Sequence, residues 1–489
     1  MLEDLINKAG EVIGSIGTLG YFLSALAAYF YYSRILYPYY LSPLRNLPRP
    51  KSGLWHYYSY LRQVFQGNAS VNMDLSLKYG PIVHVKDKIV LVNDPIIRKS
   101  FTTYKFAKAE SYSLFSINGP NLFSTTDKDF HQRIKKLILP AFNNKTLDAM
   151  EPTIYRVGSE SLVQYLDSFM DQEPSKEFDL FHLFHTNTLD VISELVFGET
   201  LNTTWDKKKG IYYIDELAKT QYMAFLRTIV PFYNHIKYPM EKLFMPVIME
   251  NINKRRNSNE IHNDILQSMI DSKDPETGEK LSDQQIVDEC MVLLFAGMDT
   301  TANTLTWTLY EIIKHPGIYE LVSNEIIEKF PNLNEPISLN VAKNELKYLS
   351  AAILEAMRMH PVASGALPRE VPEGGITING HYLPPKTVIA IDIYTQNNDP
   401  NFWENPRKFD LSRWLGPNAE INKNRLFTFG IGTRSCIGRD LAKNEIYLVL
   451  SNLIRHFSFE LVDKELTPNN KFLYKPKEKR FKVKLSRRV

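Results

Sequence analysis

The chain has 489 residues, more than a single hydrophobic core usually needs, and with 44% hydrophobic and 23% charged residues it can bury one over most of its length. Lys plus Arg (58) exceeds Asp plus Glu (55) by only three, which gives no reason to invoke nucleic acid as a partner. Two cysteines, Cys290 and Cys436, exclude a disulfide framework and a four-cysteine zinc site, so any sulfur chemistry rests on one residue.

Val12 to Ser33 is an uncharged run of 22 residues, long enough for a helix that crosses a bilayer. Tyrosines 29, 31, 32, 37, 39 and 40 crowd its end, where amphipathic rings favour the membrane boundary, and Arg34, Arg45, Arg49 and Lys51 come after it. Glu3, Asp4 and Glu11 against Lys8 precede it, so the charge bias places the C-terminal body in the cytoplasm. A cleaved signal peptide would need a basic start, and this one is acidic. Residues 1–41 are therefore expected to be a membrane anchor and 42–53 a proline-stiffened hinge. No linker interrupts 54–489, which reads as one body.

Ile82–Val85 and Ile89–Val92, split by a charged turn, predict a small sheet. From about 125 to 360 the apolar periodicity is helical, as in Leu189–Phe197 closed by Gly198 and Ile286–Ile313 closed by His315-Pro316. A second strand region is expected over Glu373–Ile393, with turns at Gly374-Gly375, Asn379-Gly380 and Pro384-Pro385. The body is thus mainly α with minor β sheets. His182 and His185 have metal-pair spacing without an evident third ligand, and read as ordinary packing.

Several short motifs lie on this frame. His131 and Lys135 are one turn apart on a basic helix, a spacing equally common on solvated faces. Ala296-Gly297-Met298-Asp299-Thr300-Thr301 sits inside an apolar helix, where a kink with a satisfied hydroxyl is the plain reading. Glu355 and Arg358 form an i, i+3 pair. Most informative is Phe429-Gly430-Ile431-Gly432-Thr433-Arg434-Ser435-Cys436-Ile437-Gly438, with a helical pattern behind it from Leu441 to Ile454. A helix N-terminus and loop amides aimed at sulfur would favour a thiolate at Cys436. A dinucleotide loop is excluded, because Ser435 stands where the third glycine belongs and the preceding segment is polar.

The spacing Phe429-x-x-Gly432-x-Arg434-x-Cys436-x-Gly438 resembles the heme-binding signature of the cytochrome P450 family, and the upstream motifs occur in the family's order. The resemblance implies the cytochrome P450 fold, preceded by one N-terminal transmembrane helix, and heme b (iron protoporphyrin IX) with Cys436 as axial iron ligand. Phe429 would shield the sulfur, Gly432 and Gly438 would let backbone approach the macrocycle, and Arg434, His131, Lys135 and Arg369 would hold propionates. His131 and Lys135 stand where the family usually has Trp and Arg. Asp299 and Thr300 would be the acid–alcohol pair that delivers protons over the distal face, beside a groove that Gly297 leaves for dioxygen. Glu355, Arg358 and Arg413 would form a buried structural triad, although Leu411 and Ser412 replace the family's usual Pro and Glu. Pocket positions would be Ser111–Phe123, Phe295 and Val362–Leu367.

The activity so implied is insertion of one atom of dioxygen into a lipophilic small molecule. Electrons would come from NADPH through an NADPH–cytochrome P450 reductase, with cytochrome b5 as a second donor. Arg133, Lys136, Arg439 and Lys443 would offer the docking charge, and the implied location is the endoplasmic reticulum membrane. The alternatives are a heme-thiolate isomerase or dehydratase, against which Asp299-Thr300 is intact, and a non-catalytic heme-binding protein.

Overall fold

The computed structural model describes residues 20–50, 62, 68–86, 88–94, 97–98, 101–172, 177–229, 235–258, 260, 262–470 and 473–488. The body is mainly helical, as expected, and is organised around one 32-residue helix, Asp283–Lys314. Ser282 starts it: its hydroxyl accepts the Gln285 backbone N–H while the Gln285 side chain returns a bond to the Ser282 N–H. The helix stops at extended His315, because Pro316 behind it disfavours the helical conformation. Leu180–Phe197 packs along this central helix and is buried on nearly all its faces. It ends at Gly198, whose φ of 74° is the left-handed cap that glycine adopts without strain.

The first sheet has strands β1 (Ile82–Lys86), β2 (Ile89–Val92), β3 (Ala366–Glu370) and β4 (Val388–Asp392), in the spatial order β1-β2-β4-β3. β4 runs parallel to β2, with Val90 opposite Ile389, and antiparallel to β3, with Arg369 opposite Ile389. The expected strand region therefore begins earlier than Glu373, because β3 pairs with β4 from Ala366 onwards. The Asn379-Gly380 and Gly374-Gly375 pairs do turn the chain, at positive φ. A three-stranded sheet of Glu177–Asp179, Lys482–Arg487 and Phe457–Leu461 closes the C-terminus.

The expected transmembrane helix is not borne out: among the described residues no helix is long and apolar enough to cross a membrane. Residues 12–19 of the uncharged run lie outside the described residues. The described part of the run opens as a helix over 20–31 and continues as the wider-wound π-helix Tyr32–Leu41, with Tyr21 and Phe22 largely exposed. The proline segment behind it is also no free spacer. Leu44 and Leu47 are buried in the sheet's hydrophobic cluster, and the His84 N–H donates to the Pro48 carbonyl at 2.9 Å. Residues 51–53 of the expected hinge lie outside the described residues.

Candidate active site

The cysteine loop is anchored before it reaches sulfur. Phe427 is fully buried in the sheet's cluster, and the Cys436 N–H donates to the Phe429 carbonyl at 3.0 Å, closing the loop on itself. Helix Arg439–His456 begins three residues later with Gly438 as its N-cap. Burial pushes the Cys436 thiol up, and the Gly438 N–H opposes that by pointing at sulfur. Cys436 is an exposed residue whose thiol is nonetheless shielded from water by the protein around it.

The loop glycines divide their roles differently from the expectation. Gly432 has φ +74°, and an added Cβ would lie 2.4 Å from the Phe101 carbonyl oxygen and from Thr102 Cα. It allows close approach of protein backbone, not of a macrocycle. Nothing lies within 4 Å of a Cβ built at Gly438, so that position does face open space.

Beside the loop lies a cluster of basic side chains. Helix Lys128–Ile138, capped by the Asp127 carboxylate, turns His131 and Lys135 towards it. β3 supplies Arg369, and the loop supplies Arg434. The Lys135 ammonium donates to the Thr433 carbonyl at 2.7 Å, and His131 Nδ1 meets the Tyr104 hydroxyl at 2.9 Å. Arg369 donates to the Tyr112 hydroxyl and to its neighbour's carbonyl. The structure adds Lys108, buried and bonded to the carbonyls of Leu122 and Phe123, which sequence reasoning did not single out. Among the described residues none of these five is ion-paired. Burial first, then the charges of Arg434, Lys108, Lys135 and Arg369, holds His131 down at about 3. Arg434 is the anomaly: its three guanidinium nitrogens are buried without a hydrogen-bond partner, under the Tyr104 ring. A guanidinium so placed calls for an anion.

The comparisons with known proteins bear on that anion by showing the family. The family profile described as Cytochrome P450 matches residues 48–483. The chain belongs to the cytochrome P450 family. Relatives are fungal: the cytochrome P450 monooxygenase ORF11 of Penicillium roqueforti is 27% identical, covering 95% of this chain and 97% of its own. The monooxygenase BOT1 of Botryotinia fuckeliana is 28% identical over 87% of each chain. The monooxygenase helB1 of Aspergillus fumigatus is 27% identical over 88% of this chain and 77% of its own. This P450 is accordingly an oxidoreductase that incorporates molecular oxygen, with heme-thiolate iron as cofactor. Its residues fit that group. The thiol of the exposed Cys436 is the kind of donor such an iron takes, and heme's two carboxylates match the orphaned Arg434 within a basic cluster none of whose cations is ion-paired among the described residues.

The triad of this P450 assembles as expected. Both Glu355 oxygens are used: Arg358 donates to each at 2.9 Å, Arg413 Nε at 3.1 Å to one. The Asp410 N–H and the Trp414 indole N–H complete the set. Arg358 also donates to the Asn397 and Pro406 carbonyls. The loss of the usual Pro and Glu at Leu411 and Ser412 does not disturb it, because Arg413 and Trp414 make the contacts.

On the central helix, Val292, Ala296, Thr300 and Thr304 recur every fourth residue as an incompletely buried stripe in a mostly buried element. The Thr300 hydroxyl donates to the Ala296 carbonyl at 2.7 Å, as expected for a hydroxyl that loosens the helix. Gly297 does not open a groove. Its missing Cβ points at Ile192, 2.8 Å away, and lets Leu180–Phe197 pack close. Asp299 also meets Leu180–Phe197, through His185, and is fully engaged: His185 and Gln221 hydrogen-bond its two oxygens, Asn303 donates at 2.7 Å, and the Lys475 ammonium lies at 3.8 Å. Reading His185 as ordinary packing therefore missed the partner of the site's carboxylate. A histidine on a helix buried all round was the available signal, whereas nothing in sequence joins Lys475 to Asp299.

Of the pocket candidates, Phe123 is 47% exposed and packs edge-on to Phe115 and Tyr112. Three of the four expected docking cations already have surface partners: Arg133 with Glu279, Lys136 with Glu276 and Arg439 with Asp440.

Proposed function

We propose that this chain is a monooxygenase that inserts one atom of dioxygen into a lipophilic small molecule, with NADPH electrons arriving through a partner reductase. The observation that carries the reading is the orphaned Arg434 two residues from the exposed Cys436. Bound there, heme iron supplies the activation of dioxygen. The chain's own residues do the rest. Arg434, Arg369, Lys135 and His131, with Lys108, would hold its propionates, and the Gly438 N–H would steady the sulfur. The stripe through Ala296 and Thr300 forms one wall of the substrate space. Phe115, Phe123 and Leu367 form others, apolar enough to favour a lipophilic guest over water. The Thr300 hydroxyl and the Asp299 carboxylate govern the protons that dioxygen reduction consumes.

No dinucleotide or flavin motif occurs in the sequence, which supports an external electron donor. NADPH–cytochrome P450 reductase is the donor proposed, with cytochrome b5 as a second. We also propose that the protein works at the endoplasmic reticulum membrane with its body in the cytoplasm. The exposed Tyr21, Phe22, Leu23, Leu26, Tyr29 and Phe30, with Arg45 and Arg49 behind them, support this.

The test is the carbonyl spectrum of the reduced protein, with Cys436→Ser as control, and then NADPH and oxygen consumption with reductase. The thiolate band in wild type, its loss in C436S, and equal consumption of NADPH and oxygen with product formed are expected. Peroxide rearrangement without NADPH would establish an isomerase instead, and heme binding without turnover a non-catalytic carrier.

A further inference from the structure

Glu289 lies on the central helix, 2% exposed, beneath the loop that carries Phe123. Its Oε1 accepts the Leu122 N–H at 2.8 Å. Its Oε2 receives no hydrogen bond among the described residues, and it is not one of the unpartnered oxygens that the fold seals from solvent. Lys108, the cation that acts on it, donates to the Leu122 and Phe123 carbonyls instead. A carboxylate here would be a buried charge with one N–H for company, so the group is held as the acid. Burial, aided by the Asp288 charge, pushes it up to about 8 against the pull of the Leu122 N–H and Lys108. Because Oε1 accepts from Leu122, the proton sits on Oε2, and that oxygen is a donor.

The helix decides what that donor faces. Thr300 stands eleven residues further on, and eleven steps of about 100° return to within about 20° of the starting direction. Glu289 therefore shares the face of Ala296 and Thr300, about 16 Å back along the axis from Thr300. Val292, Ala296 and Thr300 are the incompletely buried stripe that walls the substrate space, and Glu289 is where that stripe passes under the loop. The elements packed around it bring no competing charge. Residues 116–124 contain no titratable side chain, and Asp288 is turned to the Asn118 N–H and the Gln284 amide. Burial pushes the neighbouring Cys290 thiol up, so it stays neutral.

We propose that Glu289 is the hydrogen-bond donor that fixes the remote end of the substrate, and that the substrate is a lipophile carrying a neutral acceptor oxygen, a ketone or ester carbonyl, about three helical turns from the carbon that is oxidised. The inference deepens the monooxygenase reading by naming a substrate class, and it rests on that reading. A carbonyl oxygen satisfies the Oε2 proton without bringing charge. A carboxylate would bury a charge beside a cation, Lys108, already spent on two carbonyls. A hydrocarbon would cover the donor with nothing to accept from it. Holding the carbonyl end also sets which carbon stands before Thr300, so Glu289 governs position as well as affinity.

The test is a titration of the full-length, heme-loaded protein, read from the shift in heme absorption when a ligand enters. The probes are tridecane, methyl undecyl ketone and tridecanoate, one carbon skeleton whose extended length is close to the rise from Glu289 to Thr300. Wild type should bind the ketone at least about five-fold tighter than the hydrocarbon or the carboxylate. Glu289→Gln keeps a donor and still accepts the Leu122 N–H, so it should keep that ratio, whereas Glu289→Leu should abolish it. A loosened loop alone would weaken all three probes together, so the ratio separates an anchor from a clamp. In wild type the ratio should fall as pH rises through about 8, where the acid loses its proton, and should stay level in E289Q. Infrared difference spectra should show a protonated-carboxyl stretch that moves with the ketone, not with the hydrocarbon, and is missing from E289Q. Equal affinities for ketone and hydrocarbon, a ratio that E289L retains, or no binding of any probe overturns the proposal. If E289L fails to fold, a ratio indifferent to pH or a carboxyl stretch indifferent to the ketone does the same. Wild type that lacks the thiolate band and consumes no oxygen sinks the monooxygenase reading first, an outcome distinct from active protein that ignores the ketone oxygen.

Discussion

Glu355→Ala is the perturbation whose cost the structure sets most directly. The Glu355 and Arg358 side chains are completely buried, and the carboxylate receives five hydrogen bonds, three of them from two guanidinium groups. Removing it leaves Arg358 charged and buried with two backbone carbonyls for company, and breaking such a pair from one side costs about 3–5 kcal/mol. The Trp414 indole N–H loses its acceptor as well, a further cost of about 1–3 kcal/mol if no water replaces it. Arg413, at 11% exposure, recovers part of its hydration and adds little. Against a total stability of about 5–15 kcal/mol, E355A should come close to unfolding the chain. The assay is the urea midpoint of purified protein, with the slope checked for constancy. The decisive comparison is Glu355→Leu combined with Arg358→Met. Replacing both charges by apolar groups leaves no unpaired ion, so the double variant should be more stable than E355A although it removes more hydrogen bonds. A double variant less stable than E355A, or an E355A midpoint within about 1 kcal/mol of wild type, would refute the argument that uncompensated charge dominates here.

Arg434→Leu should act with opposite signs on two states: the heme-free chain, relieved of an unpartnered buried guanidinium, melts higher, while heme transfer to a scavenging globin becomes at least about ten-fold easier. Melting curves and transfer rates measure both, and a lower heme-free melting point contradicts the orphan reading. Gly432→Ala combines a positive φ with contacts at 2.4 Å to Phe101 and Thr102 and should lower stability by roughly 2 kcal/mol or more, read from the urea midpoint and the heme-to-protein absorbance ratio. Glu289, pushed up to about 8 by burial, is protonated when folded and ionised when unfolded between its ordinary value and 8. Stability therefore falls as pH rises through that window, and Glu289→Gln, which still accepts the Leu122 N–H, should remove a slope of up to about 1.4 kcal/mol per pH unit. Parallel stability–pH curves for wild type and E289Q would show that the carboxyl is ionised when folded.

Elements governed by local chemistry were legible in the sequence. The central helix announced both of its ends, through Ser282 with Gln285 and through Pro316, and β1 and β2 announced theirs by apolar runs around a charged turn. The cysteine loop was legible because its residue types at fixed spacing have few other uses. What escaped depends on contacts between distant segments. β3 reads as Ala-Leu-Pro-Arg-Glu, with a proline and two charges, and becomes a strand because β4 pairs with it and the body covers it. Lys108 carries no pattern of its own, and is drawn into the site by an isolated bridge to Arg369 and two carbonyls.

Two glycines illustrate the same limit, Gly432, which sequence reasoning assigned to the macrocycle, and Gly297, which it assigned to dioxygen. Gly432 and Gly297 both permit close approach, but the partner in each case is the chain itself, Phe101 and Thr102 for one and Ile192 for the other. A motif reports that a side chain is not tolerated and is silent about what takes the space. Gly297 carries the wider consequence. By bringing Leu180–Phe197 against the central helix it sets His185 within 2.9 Å of Asp299. A bulkier residue at 297 would push the two helices apart and lengthen that bond without touching either titratable group. Gly297→Ala should therefore raise the solvent isotope effect on NADPH-supported oxygen consumption, while Cys436 and its loop keep their spectrum. A Gly297→Ala protein with a wild-type isotope effect would mean that the helix spacing does not control the acid.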